Sequence, residues 1–400
     1  MGGADVSGLA ATAMKTSQLY LRTSSRGLLI RLMAVHILGT IFAYTIYINF
    51  SSLGDGYLAE DFLGFNERFN STILVHSIYA YLGAILSSPG YGAGFLAPMA
   101  LGLVVAILTW YTFRDVYTQI NPKLFWACNL LPHFLVWSGS SSKEQIVIIF
   151  GIIVINFAAK RSFAACRLTI INLILVFISL WFIYFIRPNY FVIYLTIFIT
   201  AFFSPWLHKI KTRRLSVGVW ILAFILAIAG LTFILSLDAK FFSEDVVGWM
   251  HHLKWHFLSY KDAGSNRTNI QWNDISDFMY NSLWWIPQGL IGPTLLEAIS
   301  KPMQFPVFLE GVVYLYILCY LFVRLFQLAN ASIMLRVHIL TYLFVAFAVV
   351  FVSYPYLIFN AGSSLRLKQS MHPVLIFYPL LILAYARANN LMKTYTKKDA

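Results

Sequence analysis

Three acids, Asp55, Glu60 and Asp61, fall within seven positions directly after an apolar stretch. Asp55 is flanked by Gly54 and Gly56, which permit a tight turn. A carboxylate held beside apolar surface can serve as a general base or a metal ligand. The same acids also read as a solvated loop that marks one side of a membrane. Far along the chain, NAGSSLRLKQSMHP carries Arg366 and Lys368 among Asn360, Gly362, Ser363 and Ser364, and closes on His372. An arginine fork suits a phosphate or pyrophosphate. The plainer alternative is snorkelling, with both cations meeting lipid headgroups.

Two further constellations carry polar chemistry. The stretch LPHFLVWSGSSSKEQ places Pro132 in an apolar run, then hydroxyls from Ser138 to Ser142, then Lys143 and Glu144. Proline can kink its helix and free carbonyls to line a cavity. Glu144 in a first helical turn suits the helix dipole, and the same group of hydroxyls and charges could face a sugar. In EDVVGWMHHLKWHF, His252 and His256 stand four apart, a spacing that fits one divalent metal on a helix face. An amphipathic surface helix explains that stripe equally well. Cofactor use is otherwise open.

The elements that must position these residues are membrane helices. Of 400 residues, 59% are hydrophobic and 11% charged, against roughly 25% charge in soluble domains; mean hydropathy is +0.72. Soluble enzymes, disordered chains and disulfide scaffolds are thereby excluded. Cys128, Cys166 and Cys319 show no paired spacing. The apolar runs 32–50, 95–113, 124–137, 145–159, 168–186, 190–207, 215–237, 307–323, 337–359 and 374–386 predict about ten spans. The first reads as a retained span rather than a signal peptide.

Charge sets the parity. With 72–88 treated as an interfacial or re-entrant helix and the N-terminus inside, 19 of the 29 Lys and Arg fall in cytoplasmic segments and 13 of the 16 acids outside. The net charge of +13 is then mainly topogenic, and nucleic-acid binding is not expected. The expected organisation is a cytoplasmic segment 1–31, a transmembrane core 32–237 with an outer loop 51–94, a large outer loop 238–306, C-terminal membrane helices 307–386 and a cytoplasmic tail 387–400. Arg366 and Lys368 lie on the outer side, against the usual bias. No phosphate-cradling or dinucleotide-binding glycine motif is present.

The arrangement resembles the GT-C superfamily of membrane glycosyltransferases. Four features carry the resemblance: Gly54-Asp55-Gly56-Tyr57 after the first span, the juxtamembrane helix 72–88, the Pro132–Glu144 turn, and Arg366 before the last span. "WSGSSSKE" and "NAGSSLRLK" are also similar to bacterial envelope-polysaccharide membrane proteins of that type. Two departures stand out. The usual acidic pair is a single Asp55, and the Arg-Tyr pair before the last span is Arg366-Leu367.

The resemblance implies an all-α, polytopic, GT-C-like fold in a bacterial inner membrane. The donor would be a polyprenyl-phosphate-linked sugar, its phosphate near Arg366 and Lys368. Asp55 would be the catalytic base toward a glycan or lipid-linked acceptor. Glu60, Asp61, Lys143, Glu144 and His372 are pocket candidates, and membrane lipid is the remaining partner. Two other readings stay open. One is a repeat-unit polymerase or ligase of the O-antigen type. The other is a transporter or lipid flippase, which calls for ionisable residues inside the spans.

Overall fold

The computed structural model describes residues 25–47, 71–86, 96–164, 168–207, 277, 280, 281, 288–328, 333–359, 366 and 368–398. Asp55, Glu60, Asp61, His252, His256, Asn360–Ser364 and the run 215–237 lie outside the described residues. The described chain is all-helical, without strands. Five of its helices are long and apolar enough to cross a membrane: Ser25–Thr45, Leu96–Phe113, Lys143–Phe163, Pro188–Trp206 and Phe305–Leu328.

In chain order the helices are α1 (Ser25–Thr45), α2 (Ser71–Leu86), α3 (Leu96–Phe113), α4 (Pro122–Asn129), α5 (Pro132–Gly139), α6 (Lys143–Phe163), α7 (Ile170–Ile186), α8 (Pro188–Leu207), α9 (Leu295–Ser300), α10 (Phe305–Leu328), α11 (Ile333–Phe359) and α12 (Tyr378–Lys398). Side-chain oxygens set several starts. Asn121 accepts from the Lys123 N–H, Ser142 from Gln145 and Thr169 from Asn172. Thr294 and Glu297 form a reciprocal capping box on α9.

The run 124–137 is expected as one span, but it is two short helices. Leu131 precedes proline, and its ψ of 119° is extended rather than helical, as a pre-proline residue prefers. Pro132 has no N–H to offer the Cys128 carbonyl one turn back. The helix therefore breaks outright instead of kinking, and Pro132 restarts it as the first residue of α5.

α6 forms the centre, packed against α3, α7, α8 and α12. Its buried residues, among them Val147, Ile148, Ile152 and Ile155, occupy most of its circumference, as expected of an enclosed helix. Gly151 sets the approach of α8, since a Cβ there would overlap the Tyr194 ring. α7 is the opposite case. Val176, Ser179, Leu180 and Ile183 form one inward stripe, while Ile170, Ile171, Ile174, Phe177 and Trp181 are exposed.

Cross-links define two ends of the bundle. At one end, Trp110 Nε1 donates to the Ser25 carbonyl at 2.8 Å, Lys160 ion-pairs with Asp115, and Arg387 donates to the Gln119 carbonyl. At the other end, Tyr44 bonds Ser141, Tyr79 bonds Ser142 and Gln145, and Arg187 bonds Glu144. Thus α1, α3, the α4–α5 pair, α6 and α7 alternate in direction. Arg114, Lys160 and Arg387, which the charge bias assigns to a single side, share the first end. The midpoint of α2, at Tyr79, meets the start of α6; α2 therefore sits at the second end.

Candidate functional site

Glu144 organises the second end. It stands in the first turn of α6, beyond the Ser142 cap, and its side chain is 0% exposed. Oε1 accepts from Arg187 Nη2 at 2.6 Å, and Oε2 lies 2.9 Å from Arg366 Nε. Arg187 occupies the C-cap of α7, where its N–H bonds the Ile183 carbonyl, and Pro188 opens α8 directly after it. Burial works against the Arg187 charge, and the Glu144 carboxylate overcomes it, holding the guanidinium above its ordinary value. The Arg366 guanidinium lies 5.3 Å from the centre of the Trp137 ring.

Two guanidiniums thus share one carboxylate, leaving a formal surplus of one positive charge. The acid is enclosed, whereas the Arg187 and Arg366 side chains remain 31% and 27% exposed. Each fork has more N–H donors than a single carboxylate oxygen occupies. The arrangement can therefore receive an oxyanion from the exposed side without losing its internal counter-ion.

The turn that carries Glu144 is held from two directions. Ser141 N–H donates to the Tyr44 hydroxyl at 3.2 Å, and Ser142 N–H to the Tyr79 hydroxyl at 3.1 Å. Tyr79 in turn donates to Gln145 Oε1 at 2.6 Å. Gln145 Nε2 donates to the Pro98 carbonyl at 2.8 Å and also to that of Ser138. Those serines are consumed in fixing the backbone, so their structural reading accounts for most of their hydrogen bonds.

Deeper in the bundle, a second polar cluster sits at the α4–α5 break. Glu310 of α10 accepts the His133 N–H at 3.1 Å and pairs with His133 Nδ1. In an unbroken helix that N–H would go to Asn129. Lys368 Nζ donates to the Leu290 carbonyl at 3.0 Å and lies 4.7 Å from the Tyr314 ring centre. Burial pushes its ammonium down from 10.5 to about 8, with Glu310 opposing that shift. His372 stacks on Phe134 at 4.0 Å and faces the Cys128 carbonyl that Pro132 leaves without its helical partner. Burial, reinforced by Lys368, lowers that imidazole to about 3 and keeps it neutral. Gly311 is needed here, because a Cβ at 311 would strike the Ile291 carbonyl.

The sequence candidates therefore divide. Arg366 and Glu144, separate features in the sequence, come together. Lys368 and His372 join the deeper cluster instead. Lys143 opens α6 and is half-buried. Asp55, Glu60 and Asp61 lie outside the described residues. Among the described residues no three His, Cys, Asp or Glu side chains are grouped to hold a metal ion. Two site residues escape the sequence reading. Arg187 is a cation in a one-residue turn between apolar runs, and the unfavourable charge bias that marks Arg366 marks it too. Glu310 is a lone acid inside an apolar run, which is itself a functional flag in a membrane helix. Comparison with protein-family models, curated proteins and solved structures finds no match for the chain.

Proposed function

We propose that this chain is an integral membrane glycosyltransferase that takes a sugar from a polyprenyl-phosphate-linked donor and passes it to a glycan or lipid-linked acceptor at the outer face of a bacterial inner membrane. The observation that carries this reading is the pair of partly exposed guanidiniums, Arg187 and Arg366, anchored by the enclosed Glu144 at one end of an apolar helical bundle. A polyprenyl phosphate needs an apolar surround for its tail and fixed cations for its headgroup, and the two are adjacent here.

In this mechanism the acceptor hydroxyl attacks the anomeric carbon. The new C–O bond forms as the bond to the donor phosphate breaks. Asp55 takes the hydroxyl proton, a role typically worth about 10²–10⁴-fold. The departing phosphate keeps the bonding pair, and Arg366 and Arg187 stabilise the charge that develops on it. Trp137, whose ring centre lies 5.3 Å from the guanidinium, helps hold Arg366 in place.

The test is glycan synthesis in membranes carrying Arg366→Ala or Asp55→Asn, with insertion checked by protease protection. Both variants should insert normally and lose synthesis; full activity in both would discard the assignment.

A second reading, a transporter or lipid flippase, draws on one observation: the ionisable pair His133–Glu310 lies inside the bundle at a broken helix. Donor turnover without transport, measured with labelled lipid-linked sugar in proteoliposomes, separates the two.

A further inference from the structure

At the first end of the bundle a groove opens where α10, α12 and the turn before α4 meet. Leu380, Leu383 and Ala384 of α12, Leu124 of α4 and Tyr320 of α10 give it apolar lining. Gln119, Asn121 and Arg387 supply its polar part. On α10 the helical spacing continues the groove into an exposed apolar stripe, because Leu309, Val313, Tyr316 and Val323 share the face of Tyr320. On a membrane helix such a stripe meets acyl chains. Arg324 ends it, one turn beyond Tyr320. Its guanidinium lies 5.3 Å from the centre of the Tyr320 ring, and Nη1 donates to Gln327 Oε1 at 3.2 Å. Arg387 Nη1 donates to the Gln119 carbonyl at 3.1 Å. Tyr320 joins the two cations, since it lines the groove together with Arg387 and carries Arg324 on its ring. Both arginines are exposed, and these bonds take one N–H from a fork that has five. No acid lines the groove among the described residues. The second end differs, for there Glu144 supplies a counter-ion from within. Here the anion comes from outside the chain.

We propose that this groove binds an acidic phospholipid of the adjoining leaflet, with its phosphodiester on Arg387 and Arg324 and one acyl chain along Tyr320 and the α10 stripe. Guanidinium forks suit phosphate oxygens, and the apolar lining begins directly beside them. The lining also selects among headgroups. Phosphatidylcholine and phosphatidylethanolamine carry an ammonium next to the phosphate. That ammonium would face two guanidiniums with no carboxylate in the groove to receive it. Phosphatidylglycerol has hydroxyls in its place, which the Gln119 and Asn121 side chains can meet. The site lies at the opposite end of the bundle from Arg187 and Arg366, and it does not rest on the glycosyl-transfer reading.

The test is native mass spectrometry of the full chain, released from detergent and titrated with phosphatidylglycerol or with phosphatidylcholine of matched chains. The first phosphatidylglycerol should bind at least about tenfold more tightly, the margin that two basic residues beside an acidic lipid can supply. Arg324→Gln combined with Arg387→Gln should bring the two lipids to equal affinity. Both positions are exposed, so the double variant should keep its helical content, read by circular dichroism. Independently of any variant, phosphatidylglycerol with a diazirine on its tail should label the unaltered chain at Leu124 or on the stripe from Tyr316 to Val323. Three results each overturn the proposal: equal affinity for both lipids in the unaltered chain, a preference that survives in the folded double variant, or labelling confined to other helices.

Discussion

Each end of the bundle carries a cluster of nearly the same ingredients, an acid with two cations and aromatic rings beside it, and arranges them to different effect. At the first end Asp115 lies 3.5 Å from Arg114 and 3.6 Å from Lys160, and its side chain is 52% exposed. Both cations lie over Tyr111, at 4.5 and 3.7 Å from the ring centre. At the second end Glu144 is fully enclosed and its cations approach to 2.6 and 2.9 Å. Water screens the first acid and not the second. An exposed pair is worth about 0–1 kcal/mol, whereas stripping the partner from a buried one costs about 3–5 kcal/mol. The first end thus marks a surface, and the second holds two cations in a fixed relation.

The comparison is most directly broken by Glu144→Gln. That change leaves two guanidiniums crowded about a neutral amide, and we expect a loss of about 3–5 kcal/mol, read as a fall in thermal midpoint of the detergent-solubilised chain. Next in size is Arg366→Ala, for which glycan synthesis should drop at least about 100-fold, the scale of removing one preorganised donor. Arg366→Lys should recover little of it, because an ammonium cannot span two oxygens as the fork does. Arg187→Ala combined with Arg366→Ala should cost less than the two single losses multiplied, as both act through Glu144.

A smaller effect concerns pH. Unfolded, Lys368 regains its ordinary 10.5, while the folded value is about 8. Between those values the unfolded chain binds the extra proton, so Lys368 adds stability as pH rises through that window and contributes least below it. Lys368→Met should therefore flatten the rise in thermal midpoint that the unaltered chain shows there. Smallest of all, Asp115→Asn should shift stability by no more than about 0.5 kcal/mol. A loss comparable to that of Glu144→Gln would erase the distinction between the ends.

Much of the helical layout is legible in the sequence, because a run of apolar side chains is a local property. The run 95–113 becomes Leu96–Phe113, 168–186 becomes Ile170–Ile186 and 190–207 becomes Pro188–Leu207. Where boundaries move, polar partners move them. The described part of α1 includes residues ahead of its apolar run, and Ser25 there is tied to Trp110. The divided crossing at Leu130–Leu131 was foreshadowed by Pro132, but a kink and a break differ only in what receives the freed groups. Here Glu310 takes the N–H of His133 from 177 residues away. No spacing rule reaches that far. For the same reason Arg366 and Glu144 could be flagged separately by residue type and position but not paired. Arg187 carries the same charge signal as Arg366, but a one-residue turn between apolar runs hides it.

The outward face of α7 has a practical corollary. Ile170, Ile171, Ile174, Phe177 and Trp181 present greasy side chains along most of one helix. Water cannot wet such a strip without large cost. Lipid or a surfactant substitute must travel with this molecule through every purification step, as an unlinked but obligatory constituent.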